Sequence, residues 1–307
     1  MKLFQFFLLT FLLLTMGCQS SQIPSPTAVA QTQVIPSMTA THDPTAIPIL
    51  LMTTPIVTPA PTNSPTRTPD TRKNARYWRE WPVVPEFSAH AQEILRQAAQ
   101  SPALDPHIFS KVGDCQMTAG TLLGGYANGK YKIPEGYEMT VEWFSDSMLS
   151  ESVTAERGLG VSSVLNPMFG LAAGYDQCLR DERPLDCELR TRRPMVVLIG
   201  MGTNWIPNAE LSFEKYLREI VDTVLETGAL PILATKADNV EGNWKLNQAI
   251  AQVAYDYDLP LVNVWRSVHD LPGKGLERKI YLTPDGWMRR NQAWLLTLDD
   301  VRQELTK

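Results

Sequence analysis

Beyond residue 100 the chain moves between two hydrophobic rhythms. Residues 195–199, 230–234 and 260–264 are short runs dominated by apolar side chains, the pattern of strands covered on both faces. Residues 108–112 form a further strand that ends at Gly113. Between these runs the period lengthens. Over 210–227, Phe213, Leu217, Ile220, Val221 and Val224 recur at helical spacing, and Gly228 stops the pattern. Over 243–257, Leu246, Ile250, Val253 and Ala254 share one helical face, and 284–305 closes the chain as a helix. Strands alternating with helices predict an α/β fold with a parallel, doubly wound sheet. Ligands in such sheets sit beyond the carboxyl ends of the strands. Asp114, Cys115, Asn204 and the segment after Val264 all fall at that edge.

The front of the chain follows neither rhythm. Lys2 precedes an apolar run from Leu3 to Met16, shorter than the roughly 20 residues a membrane-spanning helix needs. It fits the core of a secretory signal peptide. The run ends at Gly17-Cys18, which resembles a bacterial lipoprotein box, with Thr15 where Leu is usual. That resemblance makes Cys18 a lipidation site and the membrane a partner through its acyl chains. From 19 to 72 the chain is rich in Pro, Thr, Ser and Ala, has few charges and lacks aromatic residues. Such a composition buries too little apolar surface to offset its ordering entropy, so a disordered stalk is expected. The expected organisation is therefore leader 1–18, linker 19–72 and one domain over 73–307.

Charge and cysteine usage narrow the function. A net charge of -5 and the lack of a basic stripe argue against a nucleic-acid partner. Gly124-Gly125 reads as a turn, because no phosphate-loop pattern surrounds it, and no cofactor is expected. Cys178 and Cys187 bracket a short polar loop, which in an exported chain reads as a local disulfide. A zinc site is not expected there, since no His or further Cys lies nearby.

Two strings carry candidate chemistry, Val112-Gly113-Asp114-Cys115 and Gly200-Met201-Gly202-Thr203-Asn204-Trp205. They resemble the first and third sequence blocks of the SGNH/GDSL ester hydrolases, which read Gly-Asp-Ser and Gly-x-Asn-Asp. The resemblance runs from about His107 to Thr297 and implies a three-layer, flavodoxin-like α/β/α domain. It puts Cys115 at the nucleophile position and Asn204 in the oxyanion hole. A second-block glycine joins Asn204, either Gly158 or Gly160. Asp114 and Trp205 become substrate-binding positions, with Trp205 replacing an acid. Aligning Leu282-Thr283 with the closing block puts Tyr281 at the family's His and Arg278 at its Asp.

These substitutions matter chemically. A hydroxyl or thiol nucleophile needs a base or another means of activation. Tyr281, with a reference pKa of about 10, is a poor base at neutral pH. Arg278 accepts no proton. A Cys115 thiolate would need no base, so a Cys-dependent esterase stays open. Of the four histidines, His42 lies in the linker, His90 in a leading helix and His107 ahead of the first strand. His269 follows the last strand and is the one substitute base at the correct edge. Trp287 is expected at a pocket mouth, Trp143 and Trp265 in the core, and Asp238 and Asp285 as solvated or capping acids. Three functions follow: binding of a glycan or acylated ligand without turnover, ester or acyl hydrolysis through Cys115, and a surface interaction module that ignores the pocket.

Overall fold

The computed structural model describes residues 74–204 and 208–307. The 1–18 leader with Cys18, the linker and Trp205 lie outside the described residues. Four strands, β1 (Asp105–Gly113), β2 (Pro194–Gly200), β3 (Leu230–Ala234) and β4 (Leu261–Val262), form one parallel sheet in the order β1-β2-β3-β4. Val196, Val197, Leu198 and Ile199 of β2 are all at most 2% exposed, so the centre of the sheet is covered on both faces.

A short parallel bridge between Gly113 and Ala155 adds a fifth rung outside β1. It makes the topology intelligible. The chain leaves β1, runs outward to Ala155, then returns past β1 to enter β2. Counting that rung as the second strand, the spatial order is 2-1-3-4-5, the flavodoxin-like order, and direction reverses between β1 and β2. The helices follow. Pro184–Arg192, Glu210–Glu226 and Lys245–Asp256 pack in series, while Ala89–Ala99 and Glu138–Trp143 both pack on Pro284–Leu305. Right-handed crossovers put the first set on one face and the return helix on the other, giving three layers. Among the described residues, no helix is long and apolar enough to cross a membrane.

Where sequence and fold part, the cause is local. Residues 260–264 shrink to a two-residue β4 because Asn263 turns its polar groups to the entering segment. Its Nδ2 donates to the carbonyls of Trp78 (2.8 Å) and Trp81 (3.2 Å), and its N–H donates to Val83. Asn263 then caps the helix Val264–Val268 by accepting from the Arg266 N–H. Gly124-Gly125, read as a turn, opens the short helix Gly124–Ala127 after Leu123 adopts a left-handed conformation. Trp78 is buried at the domain entrance, its ring edge-on to Trp265 at 5.2 Å.

Candidate functional site

The switch point between β1 and β2 is held by buried charges. Gly113 and Gly200 are register partners at the strand ends. A Cβ at Gly113 would stand 2.3 Å from the Gly200 carbonyl oxygen, so only glycine allows this approach. The next residue, Asp114, is 1% exposed. Its carboxylate accepts from the Gln116 N–H on one oxygen and from the Thr203 N–H on the other, both at 3.0 Å. Gln116 Nε2 also donates to Thr203 Oγ1 at 3.0 Å. Asp114 therefore ties the loop after β1 to the loop after β2. Burial pushes its carboxyl up from the usual range, and the two N–H bonds oppose that rise.

A buried cation nearby is Arg290, which the sequence reading missed. Arg290 lies on the closing helix and is 2% exposed. Its guanidinium donates at 2.6 Å to the carbonyls of Gln116 and Thr121, and sits 4.5 Å over the Trp287 ring. Burial pulls it down to about 9, against the charges of Asp114, Tyr131 and Cys115, so it stays cationic at neutral pH. Arg290 thus braces the turn that carries Cys115, whose carbonyl accepts from Thr121 Oγ1 at 3.0 Å. Cys115 itself is buried, and the disulfide joins Cys178 to Cys187 as expected.

Asn204 contacts the segment that holds Gly158 and Gly160. Its Nδ2 donates to the Leu159 carbonyl at 3.0 Å, between Gly158 and Gly160. The Gly160 N–H already donates to Ser163 Oγ at 3.2 Å, whereas Gly158 turns the chain at φ 83°. An oxyanion hole needs its donors aimed at one point, and Gly160 directs its donor elsewhere.

A second buried ionic group stands after β3. Asp238 is fully buried rather than solvated, 3.1 Å from Lys236 Nζ, which also donates to Glu241 at 2.6 Å. Burial raises the Asp238 carboxyl and Lys236 lowers it. Asn247 grips the Lys236 backbone on both sides, accepting from its N–H at 2.8 Å and donating to its carbonyl at 3.0 Å. The Lys236 stem lies over Gly202, whose φ is 117°. The loop Met201–Asn204 is thereby held between Asp114 and Lys236. Among the described residues, a cavity of about 30 Å³ at this edge is lined by Asp114, Thr203, Lys236, Arg290 and Trp294 among others, and not by Cys115 or Asn204. That is room for about one water molecule.

The aligned proton-handling positions lie on a hairpin. Strand β5 (Leu276–Glu277) pairs with β6 (Tyr281–Leu282), and the turn between them carries Arg278 at φ 49° and Lys279 at φ 66°. Arg278 is exposed on that turn and Tyr281 is half-buried opposite Glu277. Neither lines the cavity beside Asp114. The described histidines do not line it either. His90 is in the Ala89–Ala99 helix, His107 stacks on Trp143 at 4.1 Å, and His269 stacks on Trp265 at 4.2 Å. Asp285 is exposed in the first turn of the closing helix, where a negative charge suits the dipole.

The charged residues of this edge left one sequence signal. Arg290 falls four residues before Trp294 and eight before Leu298, on the apolar stripe of its helix. A cation on a core-facing stripe is a buried cation in need of partners.

Neither a family profile nor a curated protein matches the sequence. Solved structures do. A GDSL-like lipase from Bacteroides thetaiotaomicron is 12% identical, with 70% of this chain and 99% of that chain covered at a TM-score of 0.41. A lipase/acylhydrolase from Enterococcus faecalis is 14% identical, with 64% and 95% covered at 0.40. A variant of an acetyl-xylooligosaccharide esterase from Geobacillus is 15% identical, with 62% and 93% covered at 0.40. The chain is similar to these GDSL-like and acylhydrolase structures over the spans given, and the likeness says nothing of its site. The three-layer assignment stands on the sheet order and helix packing described above.

Proposed function

We propose that this chain is an exported protein, lipid-anchored at Cys18, whose SGNH-type domain binds a glycan or acylated ligand without turning it over. The observation that carries this reading is the ionic closure of the switch point. Asp114 and Arg290 are engaged with backbone groups of the loops they join, and Lys236 is engaged with Asp238 and Glu241. No described histidine lines the cavity beside them. Asn204 Nδ2 likewise donates to the Leu159 carbonyl within the protein, so this donor ties two loops together. The neighbouring structures' ester and acyl substrates supply the ligand classes to try.

A second reading is a Cys115-dependent acyl hydrolase. It is favoured by Arg290, whose guanidinium lies under the Cys115 turn and responds to the charge of that residue. A cation beside a cysteine promotes the nucleophilic thiolate. The two readings separate on acetylated sugars and short acyl esters. The first expects hydrolysis no faster than in Cys115→Ala, and turnover lost in that variant establishes the second.

A further inference from the structure

The closing helix has two working faces. Arg290 and Trp294, four residues apart, turn to the switch point. Arg289, Gln292 and Leu296 turn to a separate groove on the other side of the same helix. This groove has a volume of about 870 Å³, against about 30 Å³ at the switch point. It lies within the range of ligand sites, roughly 300–1,000 Å³. Its walls are the entering segment around Arg79 and Glu80, the Val264–Val268 helix with the residues after it, and the closing helix.

The groove is built and ordered. Arg79 is fixed over the faces of Trp78, Trp244 and Trp265, with its guanidinium carbon 4.6, 5.4 and 5.6 Å from the three centroids. Arg266 is fixed by donating to the carbonyls of Glu80 (2.5 Å) and Trp81 (3.0 Å). His269, itself exposed, stacks face-on against Trp265 with the ring centroids 4.2 Å apart. Trp265 Nε1 is a buried donor with no partner among the described residues, and buried donors are rarely left so. Arg289 and Asp270 face each other at 3.6 Å, too far for a hydrogen bond, with both side chains open to solvent.

We propose that this groove binds a neutral oligosaccharide. The inference rests on the reading of the protein as a ligand binder and moves the ligand out of the switch point. The chemistry of the walls selects the class. Glu80 and Asp270 oppose an anion, and Arg79, Arg266 and Arg289 oppose a cation. The charged rim disfavours a purely apolar ligand. Sugar rings present donors and acceptors on their edges, which match Arg289, Gln292 and Asp270. They also present C–H faces, which match the outer face of the exposed His269 ring and the apolar floor of Val83, Ala293 and Leu296.

The test is titration of the full chain with xylotetraose, cellotetraose and chitotetraose to millimolar concentration, followed by calorimetry and tryptophan emission. Saturable binding of at least one is expected. Asp270→Ala and Arg289→Ala, both at exposed positions, should weaken it about tenfold or more while leaving Tm unchanged. Lys215→Ala, exposed on the Glu210–Glu226 helix and outside both sites, should leave it unaltered. Binding lost in Asn204→Ala but kept in Asp270→Ala and Arg289→Ala overturns the groove and keeps the ligand-binding reading at the switch point. Lack of saturable binding by all three sugars overturns the proposal outright. Ester turnover, measured separately, would count against the non-hydrolytic reading on which it rests.

Discussion

Replacing Arg290 by Met tests whether the buried ion network holds the switch point together. Met keeps most of the side-chain volume, so packing changes little. Two charge-assisted hydrogen bonds of 2.6 Å disappear, stranding the carbonyl of Gln116, while that of Thr121 keeps the bond from Asn291 Nδ2 at 3.2 Å. Hydrogen bonds to charged groups contribute about 1.5–3 kcal/mol each. Asp114, 1% exposed, also loses its nearby cation. Loss of these charge-assisted bonds, with the Gln116 carbonyl left unsatisfied, sets the expected loss at about 2–4 kcal/mol. Urea unfolding of wild type and variant measures it, with the m-value unchanged if the folded state keeps its compactness. The coupling is as diagnostic as the loss. Asp114→Asn combined with Arg290→Met should cost less than the sum of the single changes, by about 1 kcal/mol or more. A loss under about 1 kcal/mol, or strict additivity, would refute the network as the organiser of this edge.

Three further outcomes follow from the geometry. Gly202→Ala must hold φ 117° and bring its Cβ to 2.9 Å from Lys236 Cδ, so a loss of about 1–3 kcal/mol is expected in the same unfolding assay. Burial draws the Lys111 ammonium down to about 8, below its value in an unfolded chain. Between pH 8 and about 10.4 the unfolded state then holds more protons, so Lys111 makes stability rise with pH across that window. The rise attributable to Lys111 is about 3 kcal/mol, and Lys111→Met should flatten it in unfolding curves taken from pH 7 to 10.5. Reduction of Cys178–Cys187, nine residues apart, should lower stability by about 2–3 kcal/mol, read as a drop in Tm with reductant that a Cys178→Ser/Cys187→Ser variant does not show.

The framework was legible because it repeats. Continuous apolar runs marked β2 and β3 almost to the residue, and the 3.6-residue period marked the Glu210–Glu226 and Lys245–Asp256 helices. Residues 124–192 were harder, since their helices are mostly short and their register is set by side chains rather than by period. Ser147, Ser152 and Thr154, for example, bond to the backbone of β1 at Phe109 and Lys111. The Gly113–Ala155 bridge that completes the sheet order follows from those bonds and has no strand-like run to announce it. At the site, Asp114, Cys115 and Asn204 were found because strand ends locate them. Lys236, Asp238 and Glu241 were passed over because isolated charges in a loop look solvated until tertiary packing covers them. The closing hairpin shows a different limit. Aligning two residues, Leu282 and Thr283, fixed Arg278 and Tyr281 on paper, while the left-handed turn at Arg278 and Lys279 carries Arg278 to the surface.

The measurement that bears most directly on the proposed absence of turnover is release of p-nitrophenol from p-nitrophenyl acetate by stoichiometric amounts of the full chain. Wild type and Cys115→Ala should be run side by side at neutral pH. The ionic closure of the switch point predicts that steady release from wild type matches the variant, with at most one equivalent per chain released early. Many equivalents per chain, lost in Cys115→Ala, would contradict it and make the protein a cysteine-dependent esterase.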